Sequence, residues 1–318
     1  MRSLQRITPK QTWKQLESHY LEAIVDPWYK SLAEIQNFIS IFTTQFYLEK
    51  SIKTLHLPIT TGSISSPMGL GSDSSPVKVN LCNVDTYLAD SMQFMLEYGC
   101  RVFDKGCYYI MPSFRGEDAD ERHLCQFYHS EAEIPGTLDD VINLVEKYIN
   151  YLCKKMLDYY EKELSLITGG DIEHVKKIAM LNNSIRRITF DEAVRILENN
   201  PEYVSNNELG FRTINKYGEQ KLISMFDGIV WVTNYDYLSV PFYQATELND
   251  NSKAINADLL FGIGEVVGSG ERHSNGKEVI ESLKRHNVNK DEYHWYIEMK
   301  NKFPIYFFVI FPFLREIL

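Results

Sequence analysis

Two runs of β-prone residues, 108–112 and 127–134, flank a stretch crowded with charge that includes Arg115, Glu117, Asp118, Asp120, Glu121, Arg122 and His123. Aromatic and branched runs bounded by a polar turn read as paired antiparallel strands. A sheet begun this way has to bury a face, and helices are the available cover. Thr137 with Asp140 resembles a capping box that opens a long helix from Leu138 to about Leu164, and Thr189 with Glu192 opens a shorter one through Leu197. Leu32, Ile35, Phe38, Ile39 and Phe42 recur at helical spacing within 12–48, where Asp26-Pro27 breaks two amphipathic helices. Lys53–Leu57 is a short extended piece running into Pro58, and 60–77, rich in Gly, Ser and Pro, reads as a long loop. Strand signals return over Gly228–Asn234 and Ala257–Arg272. The expectation is one α+β domain over 1–318, built on a largely antiparallel sheet.

Charge narrows the function. A net charge of −10 and a pI near 5.4 argue against a broad nucleic-acid-binding face, which needs clustered Lys and Arg. Cys82, Cys100, Cys107, Cys125 and Cys153 follow no C-x-x-C spacing and read as reduced thiols of a cytoplasmic protein. The first residues lack the apolar core of a signal peptide. The apolar stretch Phe303–Leu314 is shorter than the roughly 20 residues a membrane-spanning helix needs, so no membrane partner is expected.

Three segments carry candidate chemistry. In Phe114–Phe127, an arginine on a strand end (Arg115) can hold a phosphate oxygen with two parallel donors. Glu117 can accept from an exocyclic amine, and Phe127 can stack on a purine. A solvated hairpin tip with incidental charges accounts for the same residues. In Asp258–Arg272, Asp258 and Glu265 lie seven apart, an odd separation that puts strand residues on opposite faces unless a bulge intervenes, and Gly262, Gly264, Gly268 and Gly270 permit one. Two carboxylates beside a triphosphate would hold Mg²⁺; a glycine-bearing core strand with edge charges is the plain alternative. In Leu88–Glu97, Gln93 sits at the start of an amphipathic helix, on its wet side in the simplest reading.

These segments resemble the class II aminoacyl-tRNA synthetases, asparaginyl/aspartyl type. Phe114-Arg115-x-Glu117 with Arg122-His123 and Phe127 is similar to motif 2, F-R-x-E then R-H-x-x-x-F; Asp258…Gly264-Glu265…Gly268-Ser269-Gly270-x-Arg272 resembles the subclass segment D…GE…G-G-x-x-R; Ser91-x-Gln93-x-x-x-Glu97 resembles S-x-Q-L-x-L-E. The resemblance implies a class II synthetase-like antiparallel sheet flanked by helices, with ATP and Mg²⁺ as cofactors and an aspartate- or asparagine-like amino acid as substrate. It implies that Arg115 grips the α-phosphate and substrate carboxylate, Glu117 reads adenine, Arg122 and His123 reach the outer phosphates, and Phe127 stacks on adenine. It further implies that Asp258 and Glu265 hold the metal, with Glu265 and Arg115 catalytic. Ser91, Gln93, Glu97, Glu131 and Arg272 would contact the amino acid. Aspartyl enzymes usually carry a lysine where Leu96 stands, which tilts the pocket toward an asparagine-like ligand. Pro58 falls where the dimer-forming motif 1 ends, implying a homodimer.

Two departures shape the expected function. The motif 1 helices begin almost at Met1, with no preceding anticodon-binding barrel, which disfavours tRNA and favours the layout of synthetase-derived asparagine synthetases, amidating aspartate with ammonia through an adenylate. After Pro304 the family's glycine-rich motif 3, with its phosphate-clamping arginine, is replaced by Ile305–Leu314, and Arg315 is the only late arginine. An altered or truncated end after about residue 304 is therefore expected, with loss of a phosphate contact and of part of the sheet floor. A ligase of a small-molecule pathway, or a non-catalytic amino-acid- or nucleotide-binding paralogue, are the other readings.

Overall fold

The computed structural model describes residues 14–15, 17–65, 70, 75–118, 124–181, 185–304 and, as backbone, 308–313. Arg122 and His123 lie outside the described residues. In chain order the described helices are α1 (His19–Val25), α2 (Pro27–Glu49), α3 (Gln93–Cys100), α4 (Leu138–Thr168), α5 (Glu173–Ala179), α6 (Phe190–Ile196), α7 (Lys216–Met225), α8 (Gly276–Arg285) and α9 (His294–Lys302). None is long and apolar enough to cross a membrane.

Two compact units are present, one formed by residues before Ser51 with Leu144–Ser184 and the other by Ser51–Asn143 with the chain from Ile185 onward. In the first, α1 and α2 are separated at Asp26, whose carboxylate accepts from Trp28 N–H at 2.8 Å while Pro27 opens the helix. Phe38, Phe46 and Tyr47 of α2 are buried, Phe46 and Tyr47 pack on the Tyr148 ring, and Thr43 shares a 2.6 Å hydrogen bond with the Tyr148 hydroxyl. Of the residues anticipated at helical spacing, Ile35 and Phe38 are buried and Leu32, Ile39 and Phe42 are half-buried.

The second unit holds a sheet of eight described strands: β1 (Lys53–Thr54), β2 (Cys107–Phe114), β3 (Gln126–Pro135), β4 (Arg187–Thr189), β5 (Ile229–Thr233), β6 (Asn256–Phe261), β7 (Gly264–Glu271) and β8 (Phe308–Phe313). Their order is β1-β2-β3-β8-β7-β6-β5-β4, antiparallel except at the two ends, where β1 pairs β2 and β4 pairs β5 in parallel. This is the α+β architecture expected of the sequence. The expected loss of sheet floor does not occur. The apolar segment after Pro304 forms β8 between β3 and β7, since ladder hydrogen bonds come from the main chain and ask only for β-competent residues. The loop anticipated at 60–77 is partly strand, because Thr60–Thr61 pairs with Val84–Leu88, which pairs in turn with Val77–Leu81.

One face of the sheet is covered at its two ends. Ala89, Met92, Leu96 and Cys100 pack on Cys107, Tyr109 and Met111 of β2, while α6 and α7 pack on Val230, Val232 and Leu260. The Thr189 hydroxyl accepts from Glu192 N–H at 3.1 Å and the Glu192 carboxylate accepts from Thr189 N–H at 2.7 Å, the full capping box expected of α6. At Thr137 only half of the pattern forms: its N–H and hydroxyl both donate to Asp140. Thr189→Ala should destabilise the fold by about 1 kcal/mol, seen as a lower urea midpoint with unchanged slope, while Thr189→Ser leaves the midpoint in place.

Candidate active site

Register decides which side chains meet, because directly opposed residues of an antiparallel ladder share a face. Ser113 opposes Phe127, Tyr109 opposes Glu131 and Cys107 opposes Glu133. Glu133 continues through Ile310 of β8 to Gly270 of β7, and Gly268 opposes Asp258 of β6. Phe127, Glu131, Glu133, Gly268, Gly270 and Asp258 therefore stand on one face, between the two helical covers.

Glu265 joins them through a bulge. Without it, Glu265 would oppose Phe261 and point away; the ladder shifts between Leu259 and Leu260, so Glu265 opposes Leu260 on the Asp258 side. A Cβ placed on Gly268 would lie 2.9 Å from Glu265 Oε1 and 3.6 Å from Asp258 Oδ1, so the two acids converge over a bare glycine. Burial, then the Glu265 charge, raises the Asp258 carboxyl well above its ordinary range. Two mutually repelling carboxylates fit a hard cation. Among the described residues no group of three or more His, Cys, Asp or Glu could hold a metal alone. Mg²⁺ suits this pair, since it takes one or two carboxylates and completes its shell with phosphate oxygens and water.

Arg115 follows β2, its N–H donating to Cys125 O at 2.9 Å. Its guanidinium lies 5.8 Å from the Phe127 ring centre and 3.7 Å from Glu117 Oε1, and its buried Nε has no hydrogen-bond partner among the described residues. Glu117 accepts from Ser75 N–H at 3.0 Å. Behind Phe127, His129 meets the ring edge-on and its Nδ1 hydrogen-bonds the Ser113 hydroxyl at 2.8 Å. Burial, then Arg115, pushes the His129 pKa down to about 3, so the ring is neutral at pH 7.

Next along β3, Glu131 accepts from the Ser91 hydroxyl at 2.7 Å, and Ser91 Oγ accepts from Gln93 N–H at 3.1 Å. Burial raises the Glu131 pKa to about 8. Gln93 is buried, not on a wet side: its Oε1 accepts from Arg272 Nη2 at 2.7 Å and its Nε2 donates to the Tyr243 hydroxyl at 2.9 Å. The simple amphipathic reading of this helix start fails because the apolar faces of α3, α8 and α9 close over it.

Arg272 is 3% exposed. Its guanidinium lies 4.6 Å from the Tyr243 ring centre, with Nε 3.5 Å from Glu97 Oε1 and 3.7 Å from Glu133 Oε1. Nε and Nη1 of Arg272 and both carboxyl oxygens of Glu133 make no hydrogen bond among the described residues. Burial raises the Glu133 pKa to about 8, against the pull of Arg272. Glu97 is turned into the protein, accepting from the Tyr296 hydroxyl and pairing with Lys300 Nζ at 2.6 Å.

The expected residues Arg115, Glu117, Phe127, Ser91, Gln93, Glu131, Arg272, Asp258 and Glu265 are thus arrayed over the uncovered stretch of this face or at its edge, with Glu97 behind Arg272. Sequence reasoning did not single out His129, Glu133 or Lys300. Glu133 was reachable, being two residues from Glu131 on one strand and hence on its face.

Glu131 yields a pH test. Its folded pKa exceeds its unfolded value near 4.5, so the stability it lends is whole below pH 4.5 and is lost as pH rises toward 8. The melting temperature of Glu131→Gln, taken relative to wild type, should therefore climb between pH 5 and 8 and level off beyond. A pH-independent difference would contradict the assignment.

Comparison with known proteins identifies the fold. The 31%-identical "Probable asparagine--tRNA ligase, cytoplasmic" of Encephalitozoon cuniculi aligns over 71% of this chain and 51% of its own length. An asparagine–tRNA ligase of Bacillus cereus is 28% identical over 80% of this chain and 59% of its own. The chain thus spans between half and three fifths of the curated relatives it matches. Among solved structures, asparaginyl-tRNA synthetase from Pyrococcus horikoshii, complexed with asparaginyl-adenylate, superimposes with a TM-score of 0.83 at 22% identity, over 96% of this chain and 67% of that one. The Entamoeba histolytica asparaginyl-tRNA synthetase, also with asparaginyl-adenylate, gives 0.77 at 18%, over 96% and 67% respectively and so supports the same fold. Residues 12–304 match the class II tRNA synthetases of the D, K and N group, and the chain belongs to that family, carrying its catalytic-domain fold.

Proposed function

We propose that this chain activates a small amino acid bearing a side-chain carboxamide, asparagine, as its adenylate at the expense of ATP. The observation that carries this is the Arg272–Glu133 pair. It offers buried N–H donors beside buried carboxyl acceptors, 3.7 Å apart at their nearest and without hydrogen bonds of their own. An amide matches both: its carbonyl accepts from Arg272, and its NH₂ donates to a Glu133 carboxyl oxygen, which accepts whether or not the group carries its proton. A side-chain carboxylate satisfies Arg272 but carries no donor for the Glu133 oxygens, so amidation of aspartate fits less well.

The remaining groups take matching parts. Glu131 receives the substrate ammonium, releasing its proton as it does so. Arg115 holds the α-carboxylate and α-phosphate together, and Phe127 offers a stacking face for adenine. A carboxylate oxygen then bonds to the α-phosphorus while the bond to the β-phosphate oxygen breaks and pyrophosphate leaves. Catalysis here is positioning and charge stabilisation. Asp258 and Glu265 would hold Mg²⁺, which would supply positive charge at the phosphates. The acceptor that follows is tRNA, as in the names of the curated relatives, or an amine; aminoacylation of total tRNA separates the two.

Asparagine-dependent exchange of pyrophosphate into ATP is the test, with aspartate alongside. Exchange with asparagine is expected; silence with both amino acids would overturn the proposal and favour a binding role. Arg115→Ala should lower exchange by about 100-fold or more, as loss of a charge-assisted contact worth roughly 1.5–3 kcal/mol per bond implies, with the circular dichroism spectrum unchanged. Glu133→Gln replaces the acceptor by an amide that can also donate to a carboxylate and should narrow the asparagine-over-aspartate ratio of kcat/KM by about 10-fold; an unchanged ratio would place selectivity elsewhere.

A further inference from the structure

Three cations surround the fully buried Glu97. Lys300 Nζ lies 2.6 Å from Oε2, Arg272 Nε 3.5 Å from Oε1, and Arg101 Nη1 3.9 Å from Oε2, while Arg101 also donates to the Glu97 carbonyl at 2.6 Å. Two arginines would already balance one carboxylate. The third cation is a lysine 1% exposed, whose Nζ donates to His273 O at 2.6 Å and sits 5.2 Å from the Tyr296 ring centre. Burying an ammonium is costly, so neutrality alone does not explain it.

Orientation does. An arginine beside a carboxylate favours a two-pronged pair with both N···O distances near 2.7–2.9 Å. Arg272 does not make that pair with Glu97. Lys300 holds Oε2, the Tyr296 hydroxyl donates to Oε1, and the guanidinium turns instead to Gln93 Oε1 at 2.7 Å, over the Tyr243 ring and beside Glu133. We propose that Lys300 is a positioning residue for amino-acid recognition: by occupying Glu97 it keeps the Arg272 guanidinium from closing onto that carboxylate and leaves it facing the substrate side chain. The substrate part of this inference rests on the amino-acid activation proposed above; the orientation of Arg272 does not.

The test is the crystal structures of Lys300→Met and Lys300→Arg, with asparagine kinetics of each. In Lys300→Met, Arg272 should leave Gln93 and form two contacts near 2.8 Å with Glu97, and Lys300→Arg should keep it on Gln93. KM for asparagine should rise about 10-fold or more in Lys300→Met with kcat within about 3-fold, and return toward wild type in Lys300→Arg. A merely structural lysine would lower the melting temperature without moving Arg272 or splitting KM from kcat, and an Arg272 still on Gln93 in Lys300→Met would overturn the inference. Should Lys300→Met fail to fold, the double variant Lys300→Met/Glu97→Gln removes both buried charges. There Arg272, with no rival carboxylate at 97, should stay on Gln93, and its departure would equally sink the idea. If wild type exchanges pyrophosphate with no amino acid, the activation reading falls, while the position of Arg272 still decides this one.

Discussion

Removing a guanidinium from water costs several kcal/mol that only well-placed partners offset, and Arg272 draws its partners from three separate places in the chain. Gln93 and Glu97 come from α3, Glu133 from β3, and Tyr243 from the segment after β5. Lys300 on α9 enters through Glu97. Each attachment fixes an element. The N-terminal turn of α3 cannot shift without breaking the Gln93–Arg272 bond, and α9 cannot lift without baring a lysine and a carboxylate. The aromatic packing of Phe94, Tyr243, Tyr293 and Tyr296 closes the same joint with apolar area. Placement of one arginine thus governs how two helices and the central strands meet.

Charge along the sheet face is unevenly distributed, and the imbalance says what belongs where. At one end Asp90, Glu131 and Glu133 are held above their ordinary pKa chiefly by burial, and Asp258 is raised by burial and by Glu265. For each of these acids burial outweighs the pull of any neighbouring cation. At the other end Arg115 keeps a buried, unbonded N–H, and His129 is held neutral by burial and by Arg115 itself. There Glu117 stands 3.7 Å from Arg115 and leaves that N–H unbonded. A ligand that brings an ammonium to Glu131, a metal to Asp258 and Glu265, and a phosphate to Arg115 relieves each of these penalties at once, so binding energy is drawn from strain already present in the folded protein.

Much of this arrangement was legible in the sequence, for reasons that can be named. Asp26-Pro27 and Thr189/Glu192 are local signals, decided within four residues, and both appear as helix starts. The charged hairpin was legible because β-prone runs and a polar turn differ in composition, and β2 and β3 extend the expected strands by only a residue or two. Asp258 and Glu265 required more. Their odd separation was recognised as demanding a bulge, and the shift between Leu259 and Leu260 supplies it within a hairpin whose tip is Gly262, at φ 61°. What the sequence hid is burial produced by distant packing. Lys300, between Glu298 and Lys302, reads as a wet helix end, and Gln93 reads as exposed; both are covered by residues two hundred positions away or nearly so.

The two ends of the family pattern also differ in what they ask of a sequence. A phosphate grip such as that proposed for Arg115 needs a particular side chain at a particular place, and replacing that arginine would remove it. A ladder strand needs only backbone donors and acceptors and residues that tolerate an extended conformation. The segment after Pro304 has the second property without the family's glycine-rich text, and it pairs with β3 from Phe308 to Phe313 and with β7 on its other side. That is why the family match ends at residue 304 while the sheet does not. The register linking Glu133 to Gly270 passes through Ile310, so this apolar strand sets the spacing at which Glu133 can face Arg272. A slip of one residue there would shift β3 against β7 and change the distance between Glu133 and Arg272.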